Sequence, residues 1–365
     1  MTLSNHEKTT DRDAAAAVIP AGDIVSADKF AEMRLIRNYL KIYLFLLFAA
    51  CLSLLSACAT VSRLPTADRF VAYSVSKTET LLGRQAPVFQ VENNSAAYNR
   101  IGTPQAAIAE DSKEKIRVDP GRATFYTRQQ AFTTPGGTYT NLVYRVHFAE
   151  VPGGWAPFHL IAGKNVGLLV IITLNDRQQP LLVTTVHTCG CYLAFVPTAY
   201  LPVDAWPAGW QKGRQAVYGE NLPGFLDYAG LPPERIRPVI VLRDGTHRVK
   251  DIRWADTGTS GDTAVITAEL KPLDVLERLP LEEVGTTSFY ESSGSRGGYV
   301  KESYKRRERL LMSWWALDWR VGEDKKFGLD KTDGIEFYTS LKPWARSASD
   351  MRDFAAFLKY WGWGF

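Results

Sequence analysis

Alternation of apolar and polar side chains is clearest at residues 142–148, Leu-Val-Tyr-Arg-Val-His-Phe. A period of two predicts a strand with Leu142, Tyr144, Val146 and Phe148 on one face and Val143, Arg145 and His147 on the other. The Thr-Thr-Pro-Gly-Gly-Thr stretch before it, 133–138, predicts a turn. Residues 166–174 (VGLLVIITL) are apolar without a break, the pattern of a strand buried on both faces. A polar turn at 175–179 leads into a partner strand over 181–189, making an antiparallel hairpin. A second hairpin is expected from 238–243 and 247–254 around Asp244-Gly245, with a type I′ turn. Residues 263–270 predict a further strand.

After about residue 270 the period lengthens. Residues 272–279 have helical spacing. A Ser/Gly-rich linker or loop spans 286–300. Residues 301–319 predict a helix with a basic first half. The segment 349–361 predicts a last helix, capped by Ser349 with Asp350 and Asp353 in its first turn. These elements give an α+β class, with a mainly antiparallel sheet and helices toward the C-terminus. The organisation expected is a leader over 1–57, a tether over 58–75, a β-rich domain over 76–285, and a Trp-rich helical segment over 301–365 packed on that domain.

The leader changes the picture. Residues 42–57 carry no charge and follow Arg34, Arg37 and Lys41. Sixteen apolar residues are short for a membrane span but fit a secretory signal. Its end, Leu55-Ser56-Ala57-Cys58, resembles the lipobox of bacterial lipoproteins. That resemblance implies cleavage before Cys58, a diacylglycerol on its thiol, acylation of the new amino terminus, and attachment to a membrane through two to three acyl chains. A leader of normal length starts at Met33, which points to Met33 as the true start. No Asp follows Cys58, and this implies the outer membrane, periplasmic face, rather than the inner membrane. The resemblance covers about 25 residues and leaves the rest of the chain unassigned.

Composition narrows the options. The chain has 43 basic and 39 acidic residues, a net charge of +4 that gives no case for nucleic acid. Four cysteines are too few for a disulfide scaffold. Six of the ten tryptophans fall in the last 52 residues, and the chain ends FLKYWGWGF. This aromatic end caps a core or meets an envelope protein partner or the membrane interface.

The candidate chemistry is concentrated. Three of the five histidines (His147, His159, His187) and both non-leader cysteines (Cys189, Cys191) lie within 45 residues. If the strand from 181 runs on, His187, Cys189 and Cys191 share one face. A transition-metal site, zinc or copper, could draw on His187, Cys189, Cys191, His159 and His147. A Cys189–Cys191 disulfide, as a structural clip or a redox switch, suits an oxidising compartment, with Gly190 permitting the strained bridge. A cysteine nucleophile with a histidine base is the remaining option. The CGCY stretch partly resembles the Ser-His-Gly-Cys loop of L,D-transpeptidases. Cys189 stands where that histidine belongs, and Tyr192 and Leu193 replace the arginine that follows. The leading reading is an envelope accessory lipoprotein with a Cys/His site rather than an enzyme. The alternative is a periplasmic thiol enzyme, redox-active or acting on peptidoglycan.

Overall fold

The computed structural model describes residues 70–365 apart from 77, 112, 155–159, 228–235, 257–263 and 282–284. Cys58, the leader and His159 lie outside the described residues. Residues Pro65–Phe365 make one compact unit.

Sixteen strands are described: β1 (Phe70–Val75), β2 (Val88–Glu92), β3 (Thr103–Ile108), β4 (Glu114–Asp119), β5 (Thr124–Thr134), β6 (Gly137–Val151), β7 (Gly163–Leu174), β8 (Pro180–His187), β9 (Ala194–Pro197), β10 (Arg214–Val217), β11 (Glu220–Pro223), β12 (Ile236–Leu242), β13 (Val249–Asp256), β14 (Val265–Pro272), β15 (Leu279–Leu281) and β16 (Gly285–Thr287). The α-helices are α1 (Leu81–Arg84), α2 (Arg306–Ala316) and α3 (Phe354–Tyr360). Ten strands form one sheet, ordered β13-β12-β2-β1-β14-β5-β6-β7-β8-β9.

The class is α+β, but the sheet is mixed. The run β5 to β9 is antiparallel, as the hairpin signals require. The pairs β1–β14, β14–β5 and β12–β2 are parallel. Parallel neighbours are joined by long connections rather than tight turns, so no local turn residue announces them. Helices are only partly C-terminal, since α1 lies near the start.

The face assignments along β6 hold. Leu142, Tyr144, Val146 and Phe148 join one buried cluster, with Val166, Leu168, Val170 and Ile172 of β7. Val143 joins the opposite cluster, with Leu169 and Ile171. The first cluster also takes in Phe89, Ile240 and Ile252 from the far end of the sheet, so the sheet curls around it. The second is covered by the C-terminal segment through Phe327, Phe337, Phe354, Phe357 and Trp363. Each such Leu, Ile or Phe contributes roughly 2 kcal/mol by leaving water.

Several local expectations shift: β1 occupies the last six residues of the expected tether, and α2 covers only Arg306–Ala316 of the helix expected over 301–319. The β12–β13 connection has a backbone bond from the Arg243 N–H to the Arg248 carbonyl (3.0 Å), which leaves four residues in the loop. Its left-handed residues are Gly245 and His247, not Asp244, so it is not a type I′ turn. Residues 273–277 form a 3₁₀ turn rather than an α-helix. The last helix starts at Phe354, and its cap is Asp353, whose carboxylate accepts from the Ala356 N–H at 3.1 Å. Ser349 is spent in the turn before it.

Candidate functional site

β8 ends at His187, and the chain turns back at once. The His187 N–H donates to the Cys191 carbonyl (2.9 Å) and the Gly190 N–H to the His187 carbonyl (2.8 Å). Gly190 has φ +91° and Tyr192 φ +58°. A Cβ on Gly190 would land on the Tyr338 carbonyl oxygen, so this position needs glycine for conformation and for space. The Lys325 ammonium closes the turn by donating to the Cys189 carbonyl at 2.7 Å, and its own N–H bonds the Thr188 carbonyl at 2.8 Å. This turn overturns the expected single-face row of His187, Cys189 and Cys191, which assumed that the strand runs on.

The candidate ligands therefore separate. His187 is buried, with Nε2 3.1 Å from the His247 carbonyl oxygen and its ring edge-on to Tyr192. Burial first, and then the Lys305 charge, push it down to about 3, so it is a neutral imidazole. His147 sits on β6, fully buried, accepting from Arg145 Nε at 3.0 Å and edge-on to Phe289. Burial and the adjacent guanidinium hold it well below the usual range. Among the described residues no three of His, Cys, Asp or Glu are grouped as a metal ion would require.

The two cysteines do remain together, and acquire partners the sequence reading missed. Both are free thiols, Cys189 buried and Cys191 half-buried, and each shifts the acidity of the other. Helix α2 brings Glu308, whose Oε1 lies 3.7 Å from Cys191 Sγ. Just before the helix, Lys305 pairs with Asp324 at 3.1 Å, the two side chains only 2% and 1% exposed. Asp324 also accepts from the Thr188 hydroxyl, and from the Gly167 N–H at 3.4 Å. The pair thus ties α2 to the residue that precedes Cys189.

These neighbours pull the thiols apart in acidity. The neighbouring Cys191 thiol lowers Cys189; burial opposes this and the Lys305 charge adds to it. Cys191 is pushed well above its ordinary value by the adjacent Cys189, by burial and by the charge of Glu308. The two thiols titrate as a pair. Burial raises Glu308 too, against the pull of Lys305. Its Oε2 is buried with no partner. Burial disfavours the Lys305 ammonium, yet Asp324, Cys189, Glu308 and Cys191 together outweigh it, and Lys305 is held well above the ordinary lysine range. A Cβ on Gly322 (φ +80°) would overlap the Glu308 carboxylate, so glycine there makes the room for it. The only trace of Glu308 in sequence is one acid inside the basic run Lys305-Arg306-Arg307-Glu308-Arg309.

Both thiols face a cavity of about 210 Å³, walled mainly by Leu160, Ile161, Tyr192, Tyr218, Met312, Tyr338 and Leu341. Such an arrangement can hold one thiolate beside one thiol, keep a proton acceptor in reach, and seat an apolar group against the sulfurs. Comparison of the chain with known protein families, with curated proteins and with solved structures finds no match to any of them.

Proposed function

We propose that this chain is an outer-membrane lipoprotein, anchored through Cys58, whose Cys189–Cys191 dithiol exchanges with disulfides of apolar substrates. The observation that carries the reading is two free thiols, one residue apart, on the wall of one apolar cavity with the Glu308 carboxylate 3.7 Å from Cys191. In the reductive direction the Cys189 thiolate attacks one sulfur of a substrate disulfide. That S–S bond breaks, a mixed disulfide forms, and one substrate thiolate leaves. Cys191 then passes its proton to Glu308 and attacks Cys189 Sγ. The second substrate thiolate departs, and the CGC disulfide is left. Two electrons pass to the substrate; of its two thiolates, one takes up the proton left on Glu308 and the other takes one from solvent, replacing the proton Cys189 lost on ionising. A bridge closed over one glycine is strained, which favours the reverse direction, donation of the disulfide.

The test titrates residues 65–365 against reduced and oxidised glutathione, reading alkylation and intact mass. A Cys189–Cys191 bridge with a defined midpoint, and glutathione trapped on Cys189 in Cys191→Ser, are the expected results. Failure to bridge at any ratio overturns the exchange reading. A zinc or copper ion that protects both thiols until a chelator removes it would put a metal site in its place. The anchor is checked separately: palmitate labelling in cells should disappear with Cys58→Ala.

A further inference from the structure

Helix α2 is turned inside out relative to an ordinary surface helix. Its inward face carries Glu308, Ser313 and Ala316, all buried. Its outward face carries Leu310, Leu311, Trp314 and Trp315, with Leu310 76% and Trp314 72% exposed. The patch continues beyond the helix through Leu317 (71%) and Trp319 (65%). Arg346 donates to the carbonyls of Ala316 and Leu317, which sets the neighbouring Trp344, 82% exposed, beside the helix end. An apolar stripe of this extent on a surface marks a contact, not a core.

The residues around the stripe say what covers it. Arg306 and Arg307 lie exposed at its start, and the Arg309 guanidinium sits 4.1 Å over the Trp319 ring. The nearest acid past the helix, Asp318, is occupied by the Tyr338 hydroxyl and the Arg320 N–H. Tryptophan and leucine with an arginine rim match the acyl boundary and anionic headgroups of a bilayer, where indole rings settle. Eleven residues, 59–69, separate Cys58 from the first strand. Even fully extended they reach no further than about 40 Å.

We propose that the outer face of α2, with Leu317, Trp319 and Trp344, docks on an anionic lipid surface. The inner face of the same helix supplies Glu308 and Met312 to the thiol cavity, so docking would place that cavity next to the bilayer. The inference does not depend on the thiol chemistry, and its test involves no cysteine.

Residues 65–365, without lipid, are floated with vesicles of phosphatidylcholine containing about 30 mol% phosphatidylglycerol, and with phosphatidylcholine alone. Flotation is expected with the anionic vesicles, falling on addition of salt. Trp314→Ala/Trp315→Ala should weaken partitioning at least tenfold, by about the loss of two buried rings. Arg306→Glu should weaken it less, and only for anionic vesicles. An unchanged thermal melt of each variant separates lost docking from lost folding. Absence of flotation with either vesicle, or equal flotation of the double variant, overturns the proposal. A native chain that dimerises in sedimentation velocity while the double variant does not would assign the face to a second copy, which also overturns it.

Discussion

Two buried charged clusters in this protein look alike in composition and differ in completeness. In one, Arg352 donates from Nε and Nη2 to Asp350 (2.9 and 2.7 Å) and from Nη1 to the carbonyls of Lys331 and Gly334. Asp350 also accepts from the Phe337 N–H at 3.0 Å. Each nitrogen of that guanidinium has a partner. In the other, Lys305 and Asp324 are paired, but Glu308 keeps one oxygen without a partner, and the thiols beside it open on a cavity. A satisfied network fixes the C-terminal segment against the sheet. A network with spare acceptors and a proton in dispute is built for change.

The contrast is tested hardest by Arg352→Ala. It strands Asp350 in the core and should cost about 3–5 kcal/mol in urea unfolding. A loss under about 1 kcal/mol would mean that this cluster is no staple. Next is Gly190→Ala, which meets both positive φ and the Tyr338 carbonyl. A destabilisation of about 1–3 kcal/mol is expected, with slower or lost thiol exchange. An unchanged melt would show that the turn has slack. Third, Lys305→Met removes the cation that favours the thiolate. The pair then titrates higher, and alkylation near neutral pH slows about tenfold, the effect of one pH unit. A rate equal to the native one would remove Lys305 from the site. In the same variant Asp324 loses its partner, so the melt is measured alongside.

The smallest effect belongs to Glu308→Gln. A carboxyl raised in the folded state binds its proton more tightly folded than unfolded. Its contribution is therefore full below the ordinary carboxyl range and lost as pH rises through the raised value. Glu308→Gln should flatten that fall, so the variant gains on the native protein from acid toward neutral pH. The histidines work the other way. His187 and His247 are both pushed down to about 3, so their contribution is present above about 6.5 and lost as pH falls toward 3. Subtracting the variant's pH curve from the native one cancels the histidines. A difference that does not vary with pH would mean that Glu308 ionises normally.

The strands β6, β7 and β8 were legible because each is followed by its partner and the period of two survives in β6; β5 and β9 were not legible. The parallel pairs were not, since β1 and β14 meet across nearly two hundred residues with no turn between them. Position 187–191 was legible as unusual, but its geometry was not. Strand alternation said nothing about where the strand would stop, and Gly190 marked the stop. The acid and ammonium were hidden by distance: Cys191 and Glu308 are 117 residues apart. Helix α2 was legible as a helix, though over 301–319 rather than Arg306–Ala316, and which face it buries was not, because a periodic apolar stripe does not say whether it faces a core.

The glycine at 322 carries a consequence across lineages. Since the space of one methyl group there is already filled by the Glu308 carboxylate, the two positions are not free to drift separately. Among descendants of this fold, a residue larger than glycine at 322 should be found only with a shorter one at 308, and the pair of substitutions should mark the branches that have given up the proton acceptor beside their cysteines.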